Sequence, residues 1–200
     1  MKNFFGLILV SVMLFSCGIN KQANQLQTLE DCIYEIRSAD SVYVAGRDVS
    51  KMISNNKIDL SSMPGFAMAY LRQDIPLKAR INLKIKNPTK ELAAINRFEY
   101  LVLIKGQQLA NGIVDQKVSI APGDSIIVPV NVNANIYQIL SNGNTMQEIM
   151  EFMKGGNESG TEKKGIVTVK IKPSIAIGSN LVNYPGYITI EKEISSKILF

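Results

Sequence analysis

Residues 79–132 decide the fold that we predict for this chain, and they read ARINLKIKNPTKELAAINRFEYLVLIKGQQLANGIVDQKVSIAPGDSIIVPVNV. From Ala79 to Ile85 every second residue is apolar, and the residues between are polar or basic. This period of two predicts a strand with one buried face and one wet face. Asn87-Pro88 ends the strand, because proline lacks the N–H that a β-ladder needs and disfavours helical geometry in the residue before it.

Residues 95–105 predict a second strand, with large apolar side chains on both faces. Leu101 and Leu103 lie on one face, and the other face carries Phe98, Tyr100, Val102 and Ile104. A strand that is apolar on both faces is covered on both sides, so we expect it in the middle of its sheet.

After this strand, Gly106 and Asn111-Gly112 predict a loop and a turn. Two antiparallel strands are expected next, at residues 118–121 and 125–132, joined by the turn Pro122-Gly123-Asp124. Pro129 lies within the later strand and cannot donate to a ladder, which favours a sheet edge or a bulge there.

This ordered set resembles the late embryogenesis abundant type 2 family, whose core is also called the water-stress and hypersensitive-response domain. The features that carry the resemblance are, in order, Asn87-Pro88, Ile95, Phe98, Tyr100, Gly106, Gly112 and the Pro122-Gly123 turn before a valine-rich strand. It implies a mainly β fold, an immunoglobulin/fibronectin III-like antiparallel β-sandwich, with its core motif at residues 77–133. It also implies protection of proteins or membranes during water loss and other stress, and it brings no catalytic residues.

The amino terminus predicts export and lipid attachment. Lys2 precedes an apolar run at residues 4–15 that is too short to span a bilayer, so residues 1–16 are expected to be a signal peptide. The sequence Leu14-Phe15-Ser16-Cys17 resembles a bacterial lipobox, in which the cysteine thiol is diacylated and the new amino group acylated after cleavage. Cys17 is therefore the predicted lipid-attachment site. The alternative is an ordinary cleaved signal followed by an incidental cysteine.

The lipobox also predicts where the protein lies. Fatty acyl chains such as palmitate, carried on Cys17, would anchor it stably to a membrane of the bacterial cell envelope. The next residue, Gly18, is not the acidic residue that would suggest retention at the inner membrane, so the outer membrane is expected, facing either the periplasm or the exterior. The chain holds 22 basic and 17 acidic residues without a basic run, so nucleic acid is not an expected partner.

The predicted mature chain is a polar tether at residues 17–28 followed by one β-sandwich domain at residues 29–200. Cys32 is expected to be a buried strand residue rather than a redox centre. Two short strands are predicted, one with Cys32, Tyr34 and Ile36 and the other with Val42 and Val44. Together these two strands are expected to form a hairpin. The last predicted strands are residues 165–173 and 187–194.

Two helices are expected to add to the sandwich. In residues 62–73 an apolar helical face is formed by Met63, Phe66, Ala67, Tyr70 and Leu71, although Phe66, Met68 and Tyr70 also alternate as in a strand. Residues 135–154 form a predicted helical insert, with a capping box at Thr145 and Glu148 and an apolar stripe of Met146, Ile149, Met150 and Met153. Each apolar face either packs on the sheet or contacts a membrane or partner.

Composition excludes much catalytic chemistry. The chain has no histidine, which removes Ser-His-Asp and Cys-His nucleophilic systems and histidine-ligated zinc. The acidic residues are dispersed and form no calcium-binding loop. We therefore expect neither an enzyme nor a cofactor, metal or small-molecule substrate.

Two functions stay open at this point. One is a non-catalytic, membrane-anchored lipoprotein whose domain protects against desiccation-type stress. The other is an accessory lipoprotein of the periplasm or cell surface that binds a protein or lipid partner.

Overall fold

A computed structural model describes residues 24–25, 27–49, 64–145, 147–148, 164–177 and 180–195. Within these residues the strands are β1 (Ile33–Val44), β2 (Arg47–Asp48), β3 (Pro76–Lys86), β4 (Ala93–Ile95), β5 (Arg97–Ile104), β6 (Gln107–Val114), β7 (Val118–Ile120), β8 (Ser125–Asn135), β9 (Lys164–Ile177), β10 (Asn180–Asn183) and β11 (Ile188–Ser195). The helices are α1 (Pro64–Leu71) and α2 (Tyr137–Ser141), and residues 24–25, 27–31, 143–145 and 147–148 are also helical.

The strands form two main antiparallel sheets. The first has the order β2-β1-β3-β8. The second has the order β10-β9-β5-β6, and β11 pairs with β9 along the edge that β10 also occupies. The strands β1-β3-β8 facing β6-β5-β9-β11 give the fibronectin III-like arrangement, so the predicted β-sandwich is confirmed. A small third sheet joins β4 to β7.

The core lies between the inward faces of the two sheets. The first sheet contributes Ile81, Leu83, Ile85, Val128, Val130 and Val132, and the second contributes Phe98, Val102, Val169, Ile171 and Ile190. The alternation predicted for β3 is confirmed, since its apolar residues point inward and its basic residues point outward. Burying one side chain of this size stabilises the fold by about 1.5–3 kcal/mol, so these rows hold the sheets together.

The predicted hairpin near the amino terminus is wrong, because residues 33–44 form the single strand β1. Both halves of β1 pair with β3, and the register shifts between Ile36 and Ser38 and again between Asp40 and Tyr43. Ser38, Ala39 and Asp40, which separate the two predicted strands, are paired with β3 between the two bulges, and Ser41 in the second bulge has a positive φ of 54°. Bulged pairing keeps β1 beside β3 over its whole length.

The pairing predicted around the Pro122-Gly123-Asp124 turn is also wrong. The two strands that flank this turn do not pair with each other, because β7 pairs with β4 and β8 pairs with β3. The turn therefore carries the chain from one sheet to another. The edge position predicted from Pro129 is confirmed, since β8 is the outer strand of its sheet and Pro129 lies opposite Asn82.

The aromatic strand is central, as predicted, but shorter. β5 lies between β9 and β6, while Ile95 belongs to the separate strand β4. Asn96 breaks the strand: its amide donates to the Ser174 carbonyl at 2.8 Å, and its side-chain oxygen accepts from the Ala176 amide at 2.8 Å. Leu101 and Leu103 on the outer face of β5 are half-buried.

Asn111-Gly112 is not the predicted turn, because both residues lie inside β6. Gly112 pairs with Tyr100, whose ring covers it, and a Cβ placed at Gly112 would lie 2.6 Å from the Tyr100 hydroxyl oxygen. The Tyr100 hydroxyl donates to the Asn131 carbonyl of the opposite sheet at 2.8 Å. Gly112 is therefore needed because a larger residue would collide with the Tyr100 ring. The turn before β6 is made by Gly106, which has a φ of 77°.

The helix predicted at residues 62–73 is confirmed as α1, but its predicted face is only partly right. Phe66 is buried and packs with Ile75 and Leu77. Leu71, placed on the same face by its spacing, is 77% exposed. The Tyr70 ring meets the Tyr137 ring edge-on, with centroids 5.4 Å apart.

The predicted helical insert begins later than expected, since β8 continues to Asn135 and α2 covers Tyr137–Ser141. The Asn142 side chain accepts from the Thr145 amide at 3.3 Å, while Glu148 pairs with Lys105, so the predicted capping roles differ. The stripe residues Met146, Ile149, Met150 and Met153 lie outside the described residues.

The amino-terminal end of the described chain packs against the sandwich. Thr28 Oγ1 donates to the Asn24 carbonyl at 2.8 Å, and Leu29 is fully buried in the core. Packing thus begins before residue 29, within the last part of the predicted tether. At the other end of the chain, the predicted strands at residues 165–173 and 187–194 are confirmed as β9 and β11, and β10 lies between them.

The Gly112–Tyr100 contact gives a test of the packing. Replacing Gly112→Ala forces the buried Tyr100 ring to shift and strains its hydrogen bond, so we expect a loss of about 1–3 kcal/mol in the free energy of unfolding. Denaturant titration measures it. The control is Gly65→Ala in α1, where no atom lies within 4 Å of the added Cβ and the helix favours alanine. Equal stability of the two variants would contradict the packing role.

Candidate functional site

The sandwich has two ends with different surfaces. The end that we call the amino-terminal end consists of residues 27–33, 86–97, 115–125, 174–177 and 180–188, where β3 stops and β5 begins. The opposite end, which we call the helical end, consists of residues 42–48, 64–77, 104–109 and 134–141. The candidate sites lie at one of these two ends or on the outer face of the first sheet.

Asn87 is the most highly bonded side chain at the amino-terminal end. It is fully buried, and its Nδ2 donates to the carbonyls of Glu91 at 2.7 Å and Ile120 at 3.0 Å. Its Oδ1 accepts from the Thr89 amide at 3.0 Å and the Thr89 hydroxyl at 2.7 Å. Since both donors and the acceptor of the amide are used, Asn87 has no free group for a ligand.

The backbone of Asn87 is bonded as well. Its amide donates to the Asp124 carbonyl at 2.9 Å, and its carbonyl accepts from the Gly123 amide at 2.8 Å. Asn87 therefore joins the end of β3 to both β7 and the turn before β8. In the sequence Asn87-Pro88 marked only the end of a strand. The spacing of Asn87 and Thr89, typical of an Asx-turn, is the signal that predicts part of this network.

A second group of polar side chains joins the helical residues 27–31 to the sheets. The Tyr34 hydroxyl donates to the Leu29 carbonyl at 2.8 Å, and the Tyr184 hydroxyl donates to the Glu30 carboxylate. Burial, and next the neighbouring Cys32 and Tyr184, raise the pKa of Tyr34, while the bond to Glu30 raises the pKa of Tyr184. Both phenols are protonated at neutral pH and act as hydrogen-bond donors.

Cys32 is buried beside this group, as predicted. Burial, and to a smaller extent the negative charge of Asp31, raise the pKa of the Cys32 thiol to about 11. A thiol with this pKa is protonated at neutral pH and is a poor nucleophile, so its role is packing. The predicted lipid-attachment residue, Cys17, lies outside the described residues.

Among the described residues, no three or more side chains of His, Cys, Asp or Glu lie together in a group that could hold a metal ion. In the same part of the chain, no helix combines the length and apolar composition needed to cross a bilayer.

Several exposed apolar side chains lie at the two ends, and Ile113, Ile127 and Ile166 are exposed on the strands β6, β8 and β9. At the amino-terminal end, Leu181 and Val182 of β10 are 47% and 38% exposed and Leu92 is 38% exposed, with Ile33 and Tyr187 nearby. At the helical end, Met68, Tyr70 and Leu71 of α1 are exposed. Of these, sequence reasoning singled out the α1 residues and missed β10, because four residues are too few to show a periodic pattern.

The outer face of the first sheet carries a basic row on β3. The row consists of Lys78, Arg80, Lys84 and Lys86. Two acidic residues of β1 lie beside it, with Glu35 opposite Lys84 and Asp40 opposite Arg80. This partial neutralisation leaves a weak positive surface, as expected from the scattered basic residues.

Among known proteins, this chain is similar to solved structures, but the comparisons by family and by sequence find no match. No family model matches the chain, and no curated protein sequence matches it significantly. A crystal structure of a protein from Archaeoglobus fulgidus is 18% identical, with a TM-score of 0.38 over 60% of this chain and 85% of that one. A solution structure from Arabidopsis thaliana is 14% identical, with a TM-score of 0.36 over 61% of this chain and 70% of that one.

A third neighbour is a solution structure described as that of a late embryogenesis abundant protein. It is 15% identical and covers 95% of this chain and 87% of its own, with a TM-score of 0.33. TM-scores of this size carry no argument about activity, and the fold assignment rests on the strand order itself.

The Asn87 network gives the second test. Asn87→Ala removes the side-chain amide that bonds to the Ile120 carbonyl in the interior, to the Glu91 carbonyl and to the Thr89 amide, so we expect a loss of about 3 kcal/mol in the free energy of unfolding. Denaturant titration compares it with Asn133→Ala, whose side chain is exposed on β8 and whose loss should cost under about 0.5 kcal/mol. A small cost at both positions would show that Asn87 does not hold the end of the sandwich together.

Proposed function

We propose that this protein is a non-catalytic lipoprotein of the bacterial cell envelope, anchored through Cys17, whose β-sandwich protects proteins or membranes during water loss. The observation that carries the proposal is that the motif residues behind the family resemblance interlock. Asn87 binds the Gly123 turn, while Tyr100 covers Gly112 and bonds to the opposite sheet. The residues that carry the resemblance therefore contact one another in the folded domain, although they lie far apart in the sequence.

The anchoring part of the proposal rests on the sequence Leu14-Phe15-Ser16-Cys17 and on the apolar run before it. Acylation at Cys17 would add several long chains, each buried CH₂ contributing roughly 0.8 kcal/mol. Attachment of this strength holds the domain beside the membrane permanently. Protection would then act on whatever lies at that surface.

The protective part has a physical basis in the polar outer surface. The outer face of the first sheet presents the basic row on β3 and the neutral polar side chains Asn131 and Asn133 on β8. As water is withdrawn, such groups can replace water as hydrogen-bond partners for lipid headgroups or other proteins. Among the described residues, every buried side-chain nitrogen and oxygen already has a hydrogen-bond partner inside the protein.

A second candidate function is favoured by α1. Its Phe66 is held in the core at the helical end, while Met68, Tyr70 and Leu71 project from the surface. Exposed methionine and aromatic side chains on a fixed helix suit a protein or lipid partner. In this case the protein would be an accessory lipoprotein whose helical end binds that partner.

Anchoring is tested by Cys17→Ser in the full chain expressed in bacterial cells. We expect the unaltered protein to sediment with membranes, and the variant to lose at least tenfold of its membrane-bound fraction, because serine cannot carry the thioether-linked lipid. Cys32→Ser, which leaves the lipobox intact, is the control for loss of a cysteine as such. Full membrane association of Cys17→Ser would exclude lipid anchoring at this residue.

Protection is tested by drying and rehydration. The acylated protein is placed in vesicles that contain a labile enzyme and a trapped dye, beside vesicles with an equal mass of an unrelated acylated lipoprotein. We expect at least twofold more surviving enzyme activity, or twofold less dye leakage, because the polar surface replaces lost water. Equal survival in both samples would contradict protection and favour the partner-binding function of the helical end.

A further inference from the structure

The chain enters the sandwich at its amino-terminal end, beside β10. Leu29 is buried in the core, and the Glu30 carboxylate accepts a hydrogen bond from Tyr184, the residue that directly follows β10. The point where the predicted tether joins the domain is therefore fixed next to the β9–β10 hairpin.

This hairpin continues past the start of β5, where Asn96 bonds to Ser174 and Ala176, and it exposes apolar side chains on β10. β5 begins at Arg97, opposite Ser174, so the last residues of β9 and their partners in β10 continue past the start of β5. Leu181 and Val182 project here from adjacent positions of β10, and Leu92 is exposed at the same end. Successive residues of a strand point to opposite faces, so Leu181 and Val182 lie on opposite faces of β10, and each is more than a third exposed.

The length of the tether limits how the sandwich can sit on a membrane. Six residues lie between Cys17 and Asn24, where the described chain begins, and this stretch of chain reaches at most roughly 25 Å from Cys17 to Asn24 when fully extended. β3 spans the sandwich with 11 residues, roughly 35 Å. Standing on its helical end, the sandwich would lift the tether attachment farther from the bilayer than the tether can reach.

Charge does not select an orientation at this end. Basic and acidic side chains are mixed there, namely Lys86, Lys90, Arg97 and Lys117 with Glu30, Asp31, Glu91, Asp115 and Asp124. The Lys172 ammonium lies 5.9 Å from the Tyr187 ring centroid. Apolar contact is therefore what distinguishes the surface nearest the tether.

We propose that Leu181 and Val182, with Leu92 at the same end, enter the interfacial layer of the phospholipid bilayer, so that the sandwich stands on its amino-terminal end. The inference rests on the lipid anchor of the proposed function, because so small an apolar surface binds a membrane only when the tether holds it there at high effective concentration. The helical end, with Met68 and Leu71, then points away from the membrane.

The test measures the depth of single labelled positions in the full, acylated chain. Leu181→Cys, Leu71→Cys and Asn131→Cys each receive the same environment-sensitive fluorophore, in vesicles of phosphatidylethanolamine and phosphatidylglycerol that contain bromine-substituted lipids as quenchers. Leu71 marks the helical end and Asn131 the outer face of the first sheet. Cys32 stays unlabelled because it is buried with a raised pKa, and the Cys17 thiol is occupied by lipid.

We expect quenching at residue 181 to be at least threefold greater than at residues 71 and 131. The same fluorophore at residue 71 controls for insertion that the label itself would cause. Equal quenching at residues 181 and 131 would mean that the sandwich lies on its first sheet, and absent quenching at 181 would mean that the hairpin is covered by something else. Either result overturns the inference.

Flotation of the same vesicles separates this inference from the anchor. If the acylated chain floats and residue 181 is not quenched, the orientation is wrong and the anchor stands. If neither the full chain nor its Cys17→Ser variant floats, the anchor is absent, and the proposed orientation is wrong with it.

Discussion

The structure depends on one constraint: two chain crossings between the sheets meet at a single buried amide. The chain leaves the first sheet after β3 and returns to it before β8, and both paths pass Asn87. A buried amide that lacked partners would cost several kcal/mol, whereas here its donors and acceptor are all bonded. The two crossings therefore form together, and β3 and β8 become neighbours although almost 40 residues lie between their ends.

Tyr100 plays a corresponding part in the middle of the sandwich. Its ring fills the space above Gly112 within one sheet, and its hydroxyl reaches the Asn131 carbonyl of the other. A phenol inside an apolar core needs a partner for its hydroxyl, and the edge strand β8 supplies one. Asn87 and Tyr100 together fix how the two sheets are placed relative to each other.

The same arrangement separates the two ends of the domain. The amino-terminal end receives the chain from the predicted anchor and carries the β9–β10 hairpin beside it, while α1 and α2 close the opposite end. If the proposed anchor holds the protein at its amino-terminal end, the exposed methionine and tyrosine of α1 lie at the opposite end of the domain. In the orientation that we propose, the bilayer meets β10 and the surroundings meet α1.

The sequence by itself determined the strands whose apolar residues alternate, the central position of β5, the edge position of β8, the helix α1 and the burial of Cys32. Each of these follows from local periodicity or from the chemistry of one residue, such as proline in β8. The predicted lipid site at Cys17 likewise depends on a local motif, and it stays a prediction.

Tertiary structure decided which strands pair and what the glycines do. The turn at Pro122-Gly123 joins strands of different sheets, and Gly112 lies in a strand because Tyr100 needs its space; neither fact is contained in the neighbouring residues. The four residues of β10 are too few to show a periodic pattern in the sequence. Their position beside the tether follows from the bond between Tyr184 and Glu30, which only the tertiary structure shows. Pairing depends on contacts between residues far apart in the chain, and such contacts exist only in the folded protein.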